Sequence, residues 1–112
     1  MGLDYHYDNS PRDLQQEVFI RQLKHAVRLG KPLTIHTREA EEDSERILKE
    51  HVPKDHRVRL SWPAHPRDLS SLDRSCFGQI HIHCYTDSPE WAARMLAHFP
   101  NLYIGITGSY CT

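Results

Sequence analysis

Residues 17–43 of the chain, EVFIRQLKHAVRLGKPLTIHTREAEED, predict three elements in succession, because the spacing of their apolar side chains changes twice. In the wider stretch 13–29, apolar residues recur at the spacing of an amphipathic helix, and Gly30 supplies a stop signal. The run LTIH, residues 33–36, then predicts a short strand. The acidic cluster at 39–43 favours the start of a second helix, since carboxylates stabilise a helix N-terminus.

The second half of the chain repeats this alternation. Residues 80–85, IHIHCY, predict a strand, and Ser88 and Pro89 favour a helix start directly after it. LYIGI, residues 102–106, predicts a last buried strand. Alternating strands and helices favour right-handed βαβ units and a parallel sheet. Residues 58–79, between the two halves, show no sustained periodicity and predict a long loop.

The composition of the 112 residues is that of a soluble globular protein, with 38% hydrophobic and 26% charged residues. A formal net charge of -1 gives no general attraction to nucleic acid or to anionic membranes, so any nucleic-acid contact requires a local site. The sequence contains no apolar run of ~18 residues, so no membrane-spanning segment is predicted. The three cysteines form no C-x-x-C pair and no signal peptide stands at the start, which predicts reduced thiols in a cytoplasmic or nuclear protein.

His36 and Arg38 lie at the C-terminal end of the first predicted strand, where functional residues gather in α/β barrels and open sheets. A neutral imidazole there could bind a divalent metal, and the guanidinium could pair with a phosphate. The alternative is a histidine hydrogen-bonded at a strand end, with Arg38 ion-paired to Glu39 or Glu42. This motif alone favours the alternative.

His81 and His83 lie on the next predicted strand. Side chains alternate along a strand, so both histidines and Tyr85 are predicted to share one face, with Cys84 on the other. Two histidines on one face could bind a metal, but a catalytic divalent site usually needs three or more ligands, including carboxylates. No acid precedes Asp87 on this strand, so the spacing alone favours the alternative, a core histidine.

Cys84 is interpreted as a small buried residue, neither a thiolate ligand nor a nucleophile, because it points away from both histidines. A compact zinc module built from Cys76, His81, His83 and Cys84 stays open as an alternative, although its spacing matches no standard finger. The chain has no phosphate-binding glycine loop and no aromatic-and-basic pattern of the kind found in RNA-binding sheets. Its dispersed tryptophans and tyrosines are predicted to pack rather than to stack on bases.

Four stretches together resemble the TatD family of metal-dependent deoxyribonucleases, most closely its animal TatD-domain proteins. They are GLDY at 2–5, the segment 17–43, IHCYTDS at 82–88 and FPNLYIGITG at 99–108, in the order and local wording of that family. The resemblance covers nearly the whole chain except 58–79. It implies a (β/α)8 barrel with a divalent-metal site at the strand C-termini, and hydrolysis of phosphodiester bonds, often from the 3′ end of DNA.

The resemblance also implies roles for individual residues. His36 and His83 match metal-binding histidines of the family, and Arg38 matches an arginine near the substrate phosphate. Asp4 lies beside the metal site without being a standard ligand, and His81 matches no family ligand. One or two divalent ions, Mg²⁺, Mn²⁺ or Zn²⁺, are implied as cofactors of the intact enzyme, with DNA or RNA as substrate.

The chain also departs from the family pattern. The family's opening H-x-H pair, the glutamate before GLDY and the late aspartate ligand are absent, so two ligand histidines remain and no ligand carboxylate. Asp87 replaces a glycine usual in the family, which is expected to alter the loop above the metal. About four of the eight barrel strands are present. Residues 1–112 are therefore expected to form a partial TIM barrel, a fragment of one barrel domain with an insertion at 58–79.

The resulting expectation is a metal-dependent phosphodiester hydrolase of the TatD deoxyribonuclease or exonuclease type, inactive as this truncated chain. One alternative is a non-catalytic interaction fragment that self-associates or pairs with another chain through exposed sheet edges. The other is the small zinc-binding module. No membrane contact is expected in any of the three cases.

Overall fold

A computed structural model describes residues 1–7, 9–53 and 79–108, which alternate between strands and helices. The elements are β1 (Gly2–Asp4), α1 (Arg12–Arg28), β2 (Leu33–Arg38), α2 (Glu41–His51), β3 (Ile80–Tyr85), α3 (Pro89–His98) and β4 (Leu102–Ile106). The strands form one four-stranded sheet in the order β1-β2-β3-β4, and every pairing is parallel. The predicted alternation and the predicted parallel sheet are both confirmed.

Local chemistry explains where the helices begin and end. The Ser88 hydroxyl accepts a hydrogen bond from the Trp91 amide at 3.3 Å, and Pro89 occupies the first turn of α3. Gly30 follows α1 with a φ of 62°, a conformation that glycine adopts without steric cost. The amide of Lys31 then donates to the Ala26 carbonyl at 2.9 Å, which closes the end of α1.

The helices and one face of the sheet enclose a single apolar core. Burial alternates along β2, where Leu33, Ile35 and Thr37 are buried while the residues between them are exposed or half-buried. Every helix and strand of the described segments contributes buried side chains to this core, among them Leu3, Phe19, Leu23, Leu33, Ile35, Ile47, Leu48, Ile80, Ile82, Trp91, Met95 and Leu102. The opposite sheet face is therefore left to polar side chains, including His36 and Arg38.

The predicted alternation along β3 fails at Cys84. This residue has a φ of 50° and is exposed, and Tyr85 is only 5% exposed within the core. The pairing with β4 runs from Ile82 opposite Ile104 to Tyr85 opposite Ile106, so three steps on β3 match two on β4. This is a β-bulge, and the extra residue turns the following side chain to the other face. The predictions that Cys84 is buried and that Tyr85 shares the histidine face are therefore wrong.

The expected insertion at 58–79 lies outside the described residues except for Gln79. The Gln79 carbonyl accepts a hydrogen bond from the Leu33 amide at 2.8 Å, immediately before β3. Cys76, part of the alternative zinc module, also lies outside them. None of the helices in the described segments has the length and apolarity needed to cross a bilayer.

Candidate active site

His36 and His83 lie side by side on the polar face of the sheet. They occupy the C-terminal halves of the neighbouring parallel strands β2 and β3, and their ring centroids are 5.2 Å apart with the planes tilted by 40°. Both side chains are half-buried. The structure therefore brings together the two histidines that sequence reasoning singled out, and their role as metal ligands stays a prediction.

Asp4, at the end of β1, joins His36 to the loop that follows β1. The Nε2 atom of His36 donates to Asp4 Oδ2 at 3.0 Å. The other carboxylate oxygen accepts from the amides of His6 and Tyr7, at 3.0 and 3.4 Å. Burial raises the pKa of Asp4, but these hydrogen bonds outweigh it and hold the pKa below its usual value. Asp4 is thus an ionised anchor beside the histidine pair.

Gly2 is what allows β1 to lie close enough for this contact. A Cβ atom on Gly2 would fall 1.9 Å from the carbonyl oxygen of His36, and its φ of 145° is one that L side chains rarely adopt. Gly2 pairs with His36, and Asp4 pairs with Arg38, in the register of the two strands. A glycine two residues before the carboxylate therefore sets the approach of Asp4 to His36.

The environment of His83 favours its neutral form. Burial lowers the pKa of His83, and the nearby His36, His81 and N-terminal amine lower it further. A neutral imidazole is the form that binds a metal ion. His81 is exposed, and its Nε2 would lie 2.6 Å from a Cβ placed on Gly105, so this glycine of β4 leaves room for the imidazole.

The donors in this site fit a divalent metal in kind but not in number. Two imidazoles and an ionised carboxylate are chemically suitable, and metal-bound histidines commonly pair with a carboxylate that orients them. Across residues 1–7, 9–53 and 79–108, however, no group of three or more His, Cys, Asp or Glu side chains is placed to hold an ion. His81, His83 and Cys84, the described members of the alternative zinc module, therefore do not form such a group either.

Arg38 contacts an aromatic ring rather than a neighbouring acid. Its guanidinium carbon lies 5.2 Å from the centroid of the Tyr7 ring, and Nη1 donates to the Tyr7 hydroxyl at 3.4 Å. Within the described part of the chain it forms neither of the expected alternative ion pairs, to Glu39 or to Glu42. The guanidinium therefore keeps most of its five N–H donors for another partner.

Two further acids connect the loops around the histidines. The backbone amide of Glu39, which has a φ of 52°, donates to Asp87 Oδ2 at 3.1 Å. The Glu39 carboxylate in turn lies 2.7 Å from Nδ1 of His6. Burial raises the pKa of Asp87, and the charges of Glu41 and Glu39 raise it further, against the lowering by the amide bond. Asp87, flagged as a departure from the family, thus links the loop after β3 to the loop after β2.

Glu41 is a central residue that sequence reasoning missed. Its carboxylate accepts from the Tyr85 hydroxyl, from the Ser88 amide at 2.8 Å and from the Ser88 hydroxyl at 3.0 Å. Its backbone carbonyl accepts from Trp91 Nε1 at 3.0 Å. The sequence placed Glu41 among acids that favour a helix start, and that local pattern carries no sign of a partner 47 residues away. Glu41 holds the first turn of α2 against the loop that follows His83.

A separate hydrogen-bond network fixes the chain just after β1. The Tyr5 hydroxyl donates to Asp43 at 2.8 Å, and Gln16 Nε2 donates to both of them at 2.9 Å. Arg46 donates to Gln16 at 2.8 Å and to Asp43 at 3.0 Å. The segment that follows Asp4 is therefore held against both α1 and α2.

Comparison with known proteins places these features in a family. Residues 1–112 match the family model described as TatD related DNase. The chain is 40% identical over 108 residues to the human 3′-5′ RNA nuclease TATDN2, covering 96% of this chain and 11% of that protein. It is 32% identical over 110 residues to the deoxyribonuclease Tat-D of Schizosaccharomyces pombe, covering 96% and 27%. It is 54% identical over 50 residues to the uncharacterized metal-dependent hydrolase YabD of Bacillus subtilis, covering 45% and 20%.

A solved structure gives the same result for the fold. The crystal structure of an uncharacterized amidohydrolase from Saccharomyces cerevisiae superimposes with a TM-score of 0.66 at 26% identity, covering 96% of this chain and 32% of that chain. The chain thus spans less than a third of the length of the curated relatives described above. Its four parallel strands form part of a TIM-barrel-type α/β fold, as expected. On this match over its whole length, the chain belongs to the TatD-related DNase family.

Proposed function

We propose that this chain forms the β2–β3 part of the active site of a divalent-metal-dependent phosphodiester hydrolase acting on nucleic acid. The observation that carries the proposal is the His36–His83 pair, with ring centroids 5.2 Å apart on the polar face of the sheet. The names of the relatives support it, since they include an RNA nuclease, a deoxyribonuclease and metal-dependent hydrolases. The substrate class is therefore DNA or RNA, with cleavage of exonuclease type.

Each residue of the site has a role in this proposal. A complete site would contain one or two divalent ions, Mg²⁺, Mn²⁺ or Zn²⁺. His36 and His83 would hold one of them. Such an ion polarises the scissile phosphate and lowers the pKa of a bound water. Asp4 orients the His36 ring through their 3.0 Å hydrogen bond, and Arg38 contacts a substrate phosphate with its remaining donors.

Metal binding by the purified chain tests this assignment directly. We expect Mn²⁺ binding, measured by electron paramagnetic resonance of the free ion, to be lost in His36→Ala and in His83→Ala. Asp4→Asn should weaken it by about tenfold, the lower end of the effect of removing an orienting partner. His25→Ala is the matched control, because His25 is exposed on α1 and bonded to Arg28 at 3.0 Å.

The outcomes separate the proposal from the zinc module. Equal Mn²⁺ binding by the wild type and both histidine variants would show that His36 and His83 are not the metal ligands. Tight stoichiometric Zn²⁺ uptake that is lost in Cys84→Ser as well as in His83→Ala would instead favour the zinc module. Cys84 is exposed, so its thiol is accessible to such a test.

The isolated 112-residue chain is proposed to turn over poorly, because its described residues supply no three-ligand group. Phosphodiester cleavage with Mg²⁺, Mn²⁺ or Zn²⁺ measures this. Robust turnover that disappears in the His36→Ala, His83→Ala double variant would contradict the inactivity while keeping the metal assignment.

A second proposal concerns self-association with another copy of the chain. In the described sheet β4 pairs with β3 alone, and Ile106 near its end is 84% exposed. An exposed edge strand with an apolar side chain is a template for pairing with another strand.

The proposed location of the chain is the cytoplasm or the nucleus. This proposal rests on Cys84 being a free thiol, since cysteines in those compartments are kept reduced.

A further inference from the structure

Tyr7 is an exposed aromatic side chain held in a defined position at the edge of the candidate site. Its residue is 52% exposed, so the expectation that the tyrosines pack fails here. The Arg38 guanidinium lies over the ring at 5.2 Å, and the His6 ring meets it edge-on, at 4.8 Å and 89°. A cation on one face and a ring at the edge restrain Tyr7 while leaving half of it open to solvent.

The Asp4 carboxylate accepts hydrogen bonds from both Tyr7 and His36, the candidate metal ligand. Asp4 accepts the His36 hydrogen bond at 3.0 Å through one oxygen and the backbone amide of Tyr7 at 3.4 Å through the other. Arg38, in contact with the Tyr7 ring, is two residues beyond His36 on the same face of β2. The exposed ring is therefore built into the site and is not an incidental surface tyrosine.

We infer that Tyr7 stacks on a nucleobase of a single-stranded substrate while Arg38 contacts the adjoining phosphate, an inference that rests on the proposed function. Aromatic side chains paired with cationic groups are how proteins bind single strands without reading their sequence, because every base has a π face. Bases inside a duplex are already stacked on their neighbours. The platform therefore selects unpaired ends or single strands, and it accepts DNA and RNA alike.

Equilibrium binding in the presence of EDTA tests this inference without any cleavage. The probes are a fluorescein-labelled oligothymidylate of about ten nucleotides and an abasic strand of the same length and charge, compared by fluorescence anisotropy at low salt. Tyr7→Ala should weaken binding of the oligothymidylate about tenfold, within the range for loss of one base stack. Its affinity for the abasic strand should stay within about twofold of the wild type, because the phosphate contacts remain.

Three variants complete the design. Tyr7→Phe keeps the ring and should bind within about threefold of the wild type, since stacking needs the π face and not the hydroxyl. Tyr103→Ala is the matched control, because Tyr103 is 45% exposed in the first half of β4 and contacts neither Asp4 nor Arg38 in the described structure. Tyr7→Leu keeps apolar bulk and replaces Tyr7→Ala if that variant melts at a lower temperature.

Each outcome bears on a definite claim. Equal affinities of wild type and Tyr7→Ala for the oligothymidylate overturn the stacking role. An equal loss on the base-containing and abasic strands overturns it as well, because the loss then comes from the backbone contacts or the loop. If the wild type binds neither strand, the inference and the proposed nucleic-acid substrate fail together. If binding is lost in Arg38→Ala but unchanged in Tyr7→Ala, only the inference fails.

Discussion

Replacement of Glu41 by alanine is expected to destabilise the chain more than replacement of the adjacent acid of α2, Glu42. The Glu41 carboxylate accepts from the Tyr85 hydroxyl and from both the amide and the hydroxyl of Ser88. The Tyr85 residue is only 5% exposed, so water replaces the lost acceptor poorly. The variant would therefore loosen the contact between α2 and the loop after β3.

The expected size follows from the individual bonds. A hydrogen bond to a charged group contributes about 1.5–3 kcal/mol. In the variant the Tyr85 hydroxyl can direct its single proton to the Ser88 carbonyl, 2.7 Å away, and the half-buried Ser88 groups regain part of their hydration. The three bonds are therefore not lost in full, and Glu41→Ala should lower the free energy of unfolding by about 3 kcal/mol. Glu41→Gln keeps an acceptor of the same shape and should cost about 1 kcal/mol.

Urea denaturation followed by circular dichroism measures this, with Glu42→Ala as the matched control. Glu42 is the adjacent residue, carries the same side chain in the same helical turn and is exposed. Its replacement should change the free energy of unfolding by no more than about 0.5 kcal/mol. Equal effects of Glu41→Ala and Glu42→Ala would refute the reasoning, because only the helix-dipole effect common to both would then remain. A double-mutant cycle with Tyr85→Phe should give a coupling of about 1 kcal/mol.

Two further predictions concern alkaline pH and self-association. Burial, and then the Glu41 carboxylate, raise the pKa of Tyr85 far above its usual value of about 10, so the folded state keeps a proton that the unfolded chain loses. The contribution of Tyr85 to stability should therefore be full below pH 10 and decrease as pH rises above it. In Tyr85→Phe, the urea midpoint concentration should decrease less between about pH 9 and 11 than it does in the wild type. An equally steep decrease in that variant would exclude Tyr85 as the cause. For self-association, Ile106→Lys should shift sedimentation-velocity profiles toward monomer, since an edge lysine opposes strand pairing; a wild type that is monomeric at all concentrations would contradict edge pairing.

The fold was predictable because its signals are local. The helix-forming periodicity before Gly30, the cap at Ser88 and the apolar runs at the strands each depend on residues close together in sequence. Parallel βαβ connections then place the ends of successive strands at one edge of the sheet. This is why the proximity of His36 and His83 followed from the sequence, although 46 residues lie between them.

The remaining features depend on contacts that no local pattern encodes. The left-handed conformation of Cys84 shifts the register of β3 against β4, so a simple alternation assigned Tyr85 to the wrong face. The bond from Glu41 to Ser88 joins segments 47 residues apart. Tyr7 was grouped with packing aromatics because only the fold brings the Arg38 guanidinium to its ring.

Hydrogen bonds between protein groups connect His36 to the loops that follow β1, β2 and β3. Asp4 fixes His36 and the loop after β1, and the Glu39 carboxylate, 2.7 Å from His6, joins that loop to the one after β2. Asp87 then accepts from the Glu39 amide at 3.1 Å, which adds the loop after β3 to the same chain of contacts. These bonds restrain His36 and the three loops around it, so less conformational entropy remains to be lost when a ligand binds there. Loss of Asp4 should therefore weaken metal binding by loosening His36, even though Asp4 is not itself assigned as a ligand.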